Sequence, residues 1–124
     1  MEKVLNISGK QVKMAATAGL VRRYRNQFQR DFILDLKNLQ TAAINKQDKG
    51  EEFAVETLEI FENMSWCMAK AADNSIPDID SWLDQFDTFS IMEVLPEIMD
   101  LLVANMESIN GKKKSNEAEE NPTM

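Results

Sequence analysis

The sequence predicts a mostly α-helical protein: a short N-terminal β-hairpin, then a compact bundle of four to five helices, then a disordered C-terminal tail. Apolar residues alternate with polar ones near the start of the chain, as in a strand. From Leu20 onward they recur every three or four residues, as in helices. Residues 112–124 mix Lys, Glu, Asn, Ser and Pro, a composition typical of disorder. The chain has 124 residues, so we expect one domain over residues 1–111 and a polar tail over 112–124.

The hairpin is predicted within residues 2–16. Val12 and Met14 alternate with polar neighbours, which is the period of a half-buried strand. Ser8 and Gly9 are predicted to form the turn because glycine accepts a positive φ angle. A two-stranded hairpin is only marginally stable alone, so it should pack on the helices or pair with another chain.

The first helix is predicted to begin at Thr17, whose hydroxyl can cap it. One face of this helix would be apolar and would carry Leu20, Val21, Tyr24 and Phe28. The other face would carry mostly Arg22, Arg23, Arg25 and Asn26.

A second apolar stripe follows, formed by Phe32, Leu36 and Leu39. Asp31 either caps a short second helix here or lies within a helix that continues. Residues 45–50 contain no apolar side chain and end in glycine, so we expect a loop.

The second half of the chain contains the clearest helix, over residues 51–73. Its apolar face would consist of Ala54, Leu58, Phe61, Met64, Met68 and Ala71. Pro77 ends this region, and residues 78–86 give one short helix. Ser90 and Glu93 have the capping-box spacing at the start of a last helix, which Gly111 would end.

Composition excludes several classes of function. Histidine is absent, so catalysis by Ser-His-Asp or Cys-His groups and most zinc sites are excluded. The single Cys67 is expected to be a small buried residue, and the acidic run from Asp78 to Asp87 lacks the ligand and glycine positions of a calcium loop. We expect a protein that is not an enzyme and needs no cofactor or metal. No signal peptide or membrane-spanning run is seen, which predicts a cytoplasmic protein without membrane contact.

Charge is distributed unevenly along the chain. Residues 1–50 hold ten Lys+Arg against four Asp+Glu, a net of +6, and residues 51–124 a net of −13. Arginines 22, 23, 25 and 30 could bind phosphates, which would make the chain a helical nucleic-acid binder. Its overall charge of −7 disfavours that function, because neutralising phosphate charge dominates nucleic-acid affinity. The basic part could instead dock on an acidic partner or on a neighbouring copy.

Several stretches resemble one family, the tail assembly chaperones of long-tailed phages and prophages of Gram-positive bacteria. The first stretch runs from Ala15 to Asp31 and contains Arg23-Tyr24-Arg25 followed by Phe28. That family tends to show a Thr-rich turn, an Arg-Tyr-Arg, a Phe and a downstream Asp. The second stretch is residues 82–86 leading into residues 89–98, and the third is Asn105 with Lys112–Lys114. Gln29 departs from the pattern, since the family would more often have glycine there.

The resemblance implies a function. Such proteins bind the tape measure protein, the long helical chain that sets tail length, and keep it soluble until tail tube subunits replace them. It also implies the host bacterial cytoplasm, contact with the tail tube protein and a homo-oligomer. The residues expected to contact partners are Arg23, Tyr24, Arg25, Phe28, Trp82, Phe86, Leu95 and Met99, although the last four could equally be core. The alternative function is a helical adaptor or regulatory protein that binds one folded partner.

Overall fold

The computed structural model describes residues 1–110, except for the side chains of residues 105–110. In this part of the chain an antiparallel hairpin precedes five helices, which confirms the predicted fold class. The strands are β1 (Glu2–Ile7) and β2 (Lys10–Ala15). The helices are α1 (Leu20–Phe28), α2 (Phe32–Lys49), α3 (Val55–Ala72), α4 (Ile79–Leu83) and α5 (Ile91–Asn110). The expected helix end at Gly111 and the expected tail lie outside the described residues.

The hairpin closes at the predicted turn. Ser8 and Gly9 both have positive φ angles, 53° and 82°, which is the conformation of a two-residue type I′ turn. Leu5 and Ile7 of β1 face the protein interior, as do Val12 and Met14 of β2. The hairpin thus covers one side of the helices with its apolar face.

Helix α3 lies at the centre of the molecule. It contacts β2, α1, α2, α4 and α5, and six consecutive residues, Met64 to Ala69, are buried. The polar member of this run, Ser65, is satisfied because its hydroxyl donates to the Phe61 carbonyl oxygen at 2.8 Å. Periodicity predicted one apolar stripe on this helix, but its middle turns are enclosed on several sides.

Four helix boundaries differ from the sequence prediction, and one of them is the end of α4, which stops at Leu83 and not at residue 86. Helix α1 begins at Leu20 with Gly19 as N-cap and no side-chain cap, so Thr17 does not cap it. Helix α2 continues through residues 45–49, because polar residues also form helix when they face solvent, and Gly50 ends it at a φ angle of 70°. Helix α3 begins only at Val55.

Side-chain caps fix the starts of α2 and α4. The Asp31 carboxylate accepts hydrogen bonds from the Ile33 and Leu34 amides, so a separate helix starts here, and with 18 residues it is not short. Asp78 likewise accepts from the Ser81 amide at 3.1 Å. Bonds to Asp31 and Asp78 satisfy amide groups that the first helical turn leaves without partners.

The last helix begins directly after Ser90, whose carbonyl oxygen accepts from the Val94 amide at 2.9 Å. Pro96 lies inside α5 near its start, and the helix continues past it. Within residues 1–110, no helix has both the length and the apolar character needed to cross a membrane.

Candidate functional site

Helix α1 separates a basic outer face from an apolar inner face, as its spacing predicted. Arg22, Arg23 and Arg25 are exposed, whereas Tyr24 is fully buried and Phe28 is half-buried against the core. Among the described residues, these three arginines take part in no ion pair. Of the expected contact residues on α1, Arg23 and Arg25 are therefore open to a partner, and Tyr24 is not.

Tyr24 belongs to a buried polar cluster that joins α1 to α2. Asp35, which as a whole residue is 1% exposed, accepts three hydrogen bonds through its carboxylate. One comes from the Tyr24 hydroxyl at 2.7 Å, and two come from the Arg30 guanidinium at 2.6 and 2.8 Å. Arg30 is therefore committed to a structural ion pair and separate from the exposed arginines of α1.

Electrostatics in this cluster favours the charged carboxylate. Burial alone would raise the pKa of Asp35, but the hydrogen bonds from Arg30 and Tyr24 outweigh it and hold that pKa below its usual value. Burial, followed by the bond to Asp35, raises the pKa of the Tyr24 phenol, so Tyr24 stays neutral. The cluster is stable in one protonation state over the neutral pH range, as a structural element requires.

The four expected client-binding residues of the second half are largely core. Trp82 is 1% exposed and Phe86 9%, and their rings meet edge-on with centroids 5.2 Å apart. Leu95 is also buried, and Met99 is half-buried against the core. Trp82, Phe86 and Leu95 are therefore core residues, which was the other possibility considered for them. Trp82 and Phe86 still reach the floor of a mixed polar and apolar depression of about 250 Å³ beside β2.

A more apolar groove lies between α2 and α5. Its volume is about 300 Å³, close to the lower limit of about 300–1,000 Å³ for ligand pockets. The lining residues are Ala43, Lys46, Gln47, Phe53, Ile91, Met92, Leu95 and Pro96. Among the expected contact residues, Leu95 is the member of this groove.

The rim of the groove is exposed and partly apolar. Met92 lines the groove and is 59% exposed. On the α2 side, the Lys46 ammonium lies 3.3 Å from the Glu52 carboxylate. This arrangement can hold an apolar side chain in the groove and leave charged groups at its edge, which is a geometry suited to binding.

Groups with potential chemistry lie elsewhere and are not assembled. The thiol of Cys67 is fully buried, and burial raises its pKa to about 12, so it is not a nucleophile at neutral pH. Asp78 is engaged in capping α4. In the part of the chain that the structure describes, no three Cys, Asp or Glu side chains come together as a metal site would require.

Sequence reasoning missed two features: the meeting of distant residues in the α2–α5 groove and the burial of Asp35. Ala43 and Phe53 were not expected near Leu95, because the groove forms where three segments meet and periodicity describes only one segment at a time. Buried Asp35 did leave a signal, since it follows Phe32 by three residues and precedes Leu39 by four, on the apolar face of α2.

Comparison with protein-family models, with curated proteins and with solved structures finds no match.

Proposed function

We propose that this chain is a non-enzymatic chaperone of phage tail assembly that binds the tape measure protein in the host bacterial cytoplasm. The observation that carries the proposal is the apolar groove between α2 and α5 with its exposed rim residue Met92. The stretches that resemble the tail assembly chaperones give the partner its identity. The tail tube protein would take over the tape measure protein as the tail grows.

The groove supports binding of an amphipathic helix. Such a helix places side chains at positions i and i+4 on one face, and one of these can enter an apolar groove while its polar face remains in water. A long helical client repeats this pattern with varied side chains. Met92 suits such variety because methionine is unbranched and packs against differently shaped neighbours.

The modest size of the groove supports reversible binding. A client anchored by one or two side chains per site buries little area, so each contact is weak and easily exchanged. If copies of the chain associate with one another, many weak contacts along a long client would still hold it firmly, since linked sites reinforce one another. A chaperone that must later yield its client requires this combination.

The test is co-expression of the full chain with a tape measure protein, for which the candidate is any long helical protein encoded downstream of it. We would measure the fraction of that protein that remains soluble and co-purifies. Three versions of the chain are compared: the native sequence, the Met92→Asp variant and the Leu34→Asp variant. Leu34 is the matched control, because it is 56% exposed on the first turn of α2 and does not line the groove.

We expect the native chain and Leu34→Asp to keep the client soluble, and Met92→Asp to lose most of this effect while remaining folded by circular dichroism. A charge placed at the groove removes favourable apolar contact and must be desolvated on binding. Absence of any association, or equal binding by Met92→Asp, would refute the proposal. In the first case, the alternative of an adaptor for one folded partner would replace it.

A further inference from the structure

The outer edge of β1 carries backbone groups that face away from the rest of the hairpin. At the open end of the hairpin, the Ala16 amide donates to the Met1 carbonyl oxygen at 2.9 Å. The Met1 amino group donates in return to the Ala16 carbonyl oxygen at 3.3 Å. In an antiparallel pair such bonded positions alternate with positions whose amide and carbonyl point outward. In the observed register, which pairs Val4 with Lys13, the outward positions of β1 are Glu2, Val4 and Asn6.

This edge is open in the described part of the chain. No hydrogen bond from outside the hairpin reaches the backbone groups of Glu2, Val4 or Asn6 there. All three residues are exposed, and Val4 is an apolar side chain at 55% exposure. The opposite edge, on β2, is different, since Lys13 lies beside Asp73 in the depression described above.

We propose that β1 pairs with β1 of a second copy of this chain, antiparallel and about a two-fold axis at Val4, which makes one four-stranded sheet. The register follows from the outward positions. Placing Val4 opposite Val4 of the second copy also places Glu2 opposite Asn6 and Asn6 opposite Glu2, so every outward backbone group finds a partner.

Other self-pairing registers are poorer. A shift by two residues in either direction leaves at least one outward position of β1 without a β1 partner. A larger shift pairs only one outward position with itself, Glu2 in one direction and Asn6 in the other. Like charges directly opposite each other destabilise a sheet, whereas two β-branched side chains stabilise it. The sequence of the edge is therefore complementary to itself in one register.

The proposed pairing also suits the side chains on the inner face of the four-stranded sheet. Lys3 would lie opposite Leu5 of the second copy, and its apolar stem can cover that residue. Its ammonium would keep the present contacts, 3.0 Å to Glu97 and 3.6 Å to Asp100 of α5. This pairing requires no client and no groove, so its test is independent of the proposed function.

The first experiment is disulfide trapping in the full chain. In the proposed register the two Val4 Cα atoms lie about 5.5 Å apart, within the range of about 4.4–6.8 Å that a disulfide spans. A Val4→Cys variant should therefore cross-link to a dimer under mild oxidation. Lys13→Cys, exposed on the same face but one strand further from the axis, should not. Native Cys67 is fully buried and does not interfere.

The second experiment is the mass in solution by analytical ultracentrifugation. We expect twice the monomer mass for the native chain and the monomer mass for Val4→Pro, which removes an outward amide and no bond within the hairpin. Val4→Asp, which places two carboxylates on the axis, should also be monomeric and serves if the proline variant does not fold. A native chain that is monomeric up to about 100 μM would overturn the proposal, as would a dimer that both variants retain. Pairing of this edge only with a strand of another protein would overturn it too.

Discussion

Replacement of Arg30 by alanine should destabilise the fold far more than the exposure of this side chain suggests. The Arg30 side chain is 49% exposed, but it donates two hydrogen bonds to an Asp35 carboxylate whose side chain is 2% exposed. Without Arg30, the carboxylate keeps only the bond from Tyr24 and remains in the protein interior. The variant must then bury an uncompensated charge or protonate it.

The expected loss of folding free energy follows from the contrast between the exposed Arg30 side chain and the buried Asp35 carboxylate. Removing one partner of a buried pair costs about 3–5 kcal/mol, and the solvent exposure of Arg30 places this pair at the lower end, about 3 kcal/mol. Arg22→Ala is the matched control. It removes an exposed arginine of α1 that has no ion pair among the described residues, and it should change the free energy of unfolding by less than about 0.5 kcal/mol.

The destabilisation should depend on pH. In the native protein the pKa of Asp35 is lowered, so its stabilising contribution is present above the unfolded pKa of about 3.9 and is lost as pH falls through the lower folded value. In Arg30→Ala, burial raises that pKa, so the variant loses stability as pH rises from about 4. The difference between the two proteins should therefore be smaller at pH 4 than at pH 7.

Urea denaturation at both pH values measures this difference. We expect a destabilisation of about 3 kcal/mol at pH 7 that shrinks by at least about 1 kcal/mol at pH 4, since one pKa unit corresponds to about 1.4 kcal/mol. A loss below about 1 kcal/mol at pH 7 would mean that the pair is no stronger than a surface salt bridge. A difference independent of pH would show that Asp35 is not the group responsible.

Three further outcomes follow from the structure. The Cys67 thiol, fully buried with its pKa raised to about 12, should react with Ellman's reagent at pH 8 only after denaturation, and reaction in the native state would contradict its burial. Gly50→Ala should lower the free energy of unfolding by about 1 kcal/mol, because Gly50 has a φ angle of 70°, and an unchanged unfolding midpoint in urea would contradict this. The native chain should not bind a fluorescent DNA oligonucleotide at 150 mM salt, and salt-sensitive binding that Arg23→Glu abolishes would revive the nucleic-acid function.

The hairpin and the start of α4 could be predicted from sequence because their signals are local. Ser8 and Gly9 specify a turn, and Asp78 specifies a helix start, through bonds to residues close by in the chain. The end of α2 was missed because residues 45–49 carry no apolar pattern, although Gly50 is itself a helix-stop signal. A solvent-facing helical turn lacks an apolar stripe, so its absence does not indicate a loop.

The candidate site was less accessible to such reasoning. The apolar spacing of α1 placed Tyr24 on the inner face, yet the Arg-Tyr-Arg motif suggested a partner contact, and burial shows that the spacing was the better guide. Leu95 was expected to contact a client, and the structure does place it in the α2–α5 groove. Its neighbours there come from positions about 40 and 50 residues earlier, a proximity that only tertiary packing creates.

The enclosure of α3 by five other elements determines how its amide hydrogens exchange with solvent. Because β2, α1, α2, α4 and α5 all pack on this one helix, we expect its middle amides to stay protected when a single neighbour is released. Native-state hydrogen exchange at residues 64–69 should therefore proceed through global unfolding, with protection that matches the full free energy of unfolding. We expect the rim of the α2–α5 groove, at the exposed Met92, to exchange more readily than this central helix.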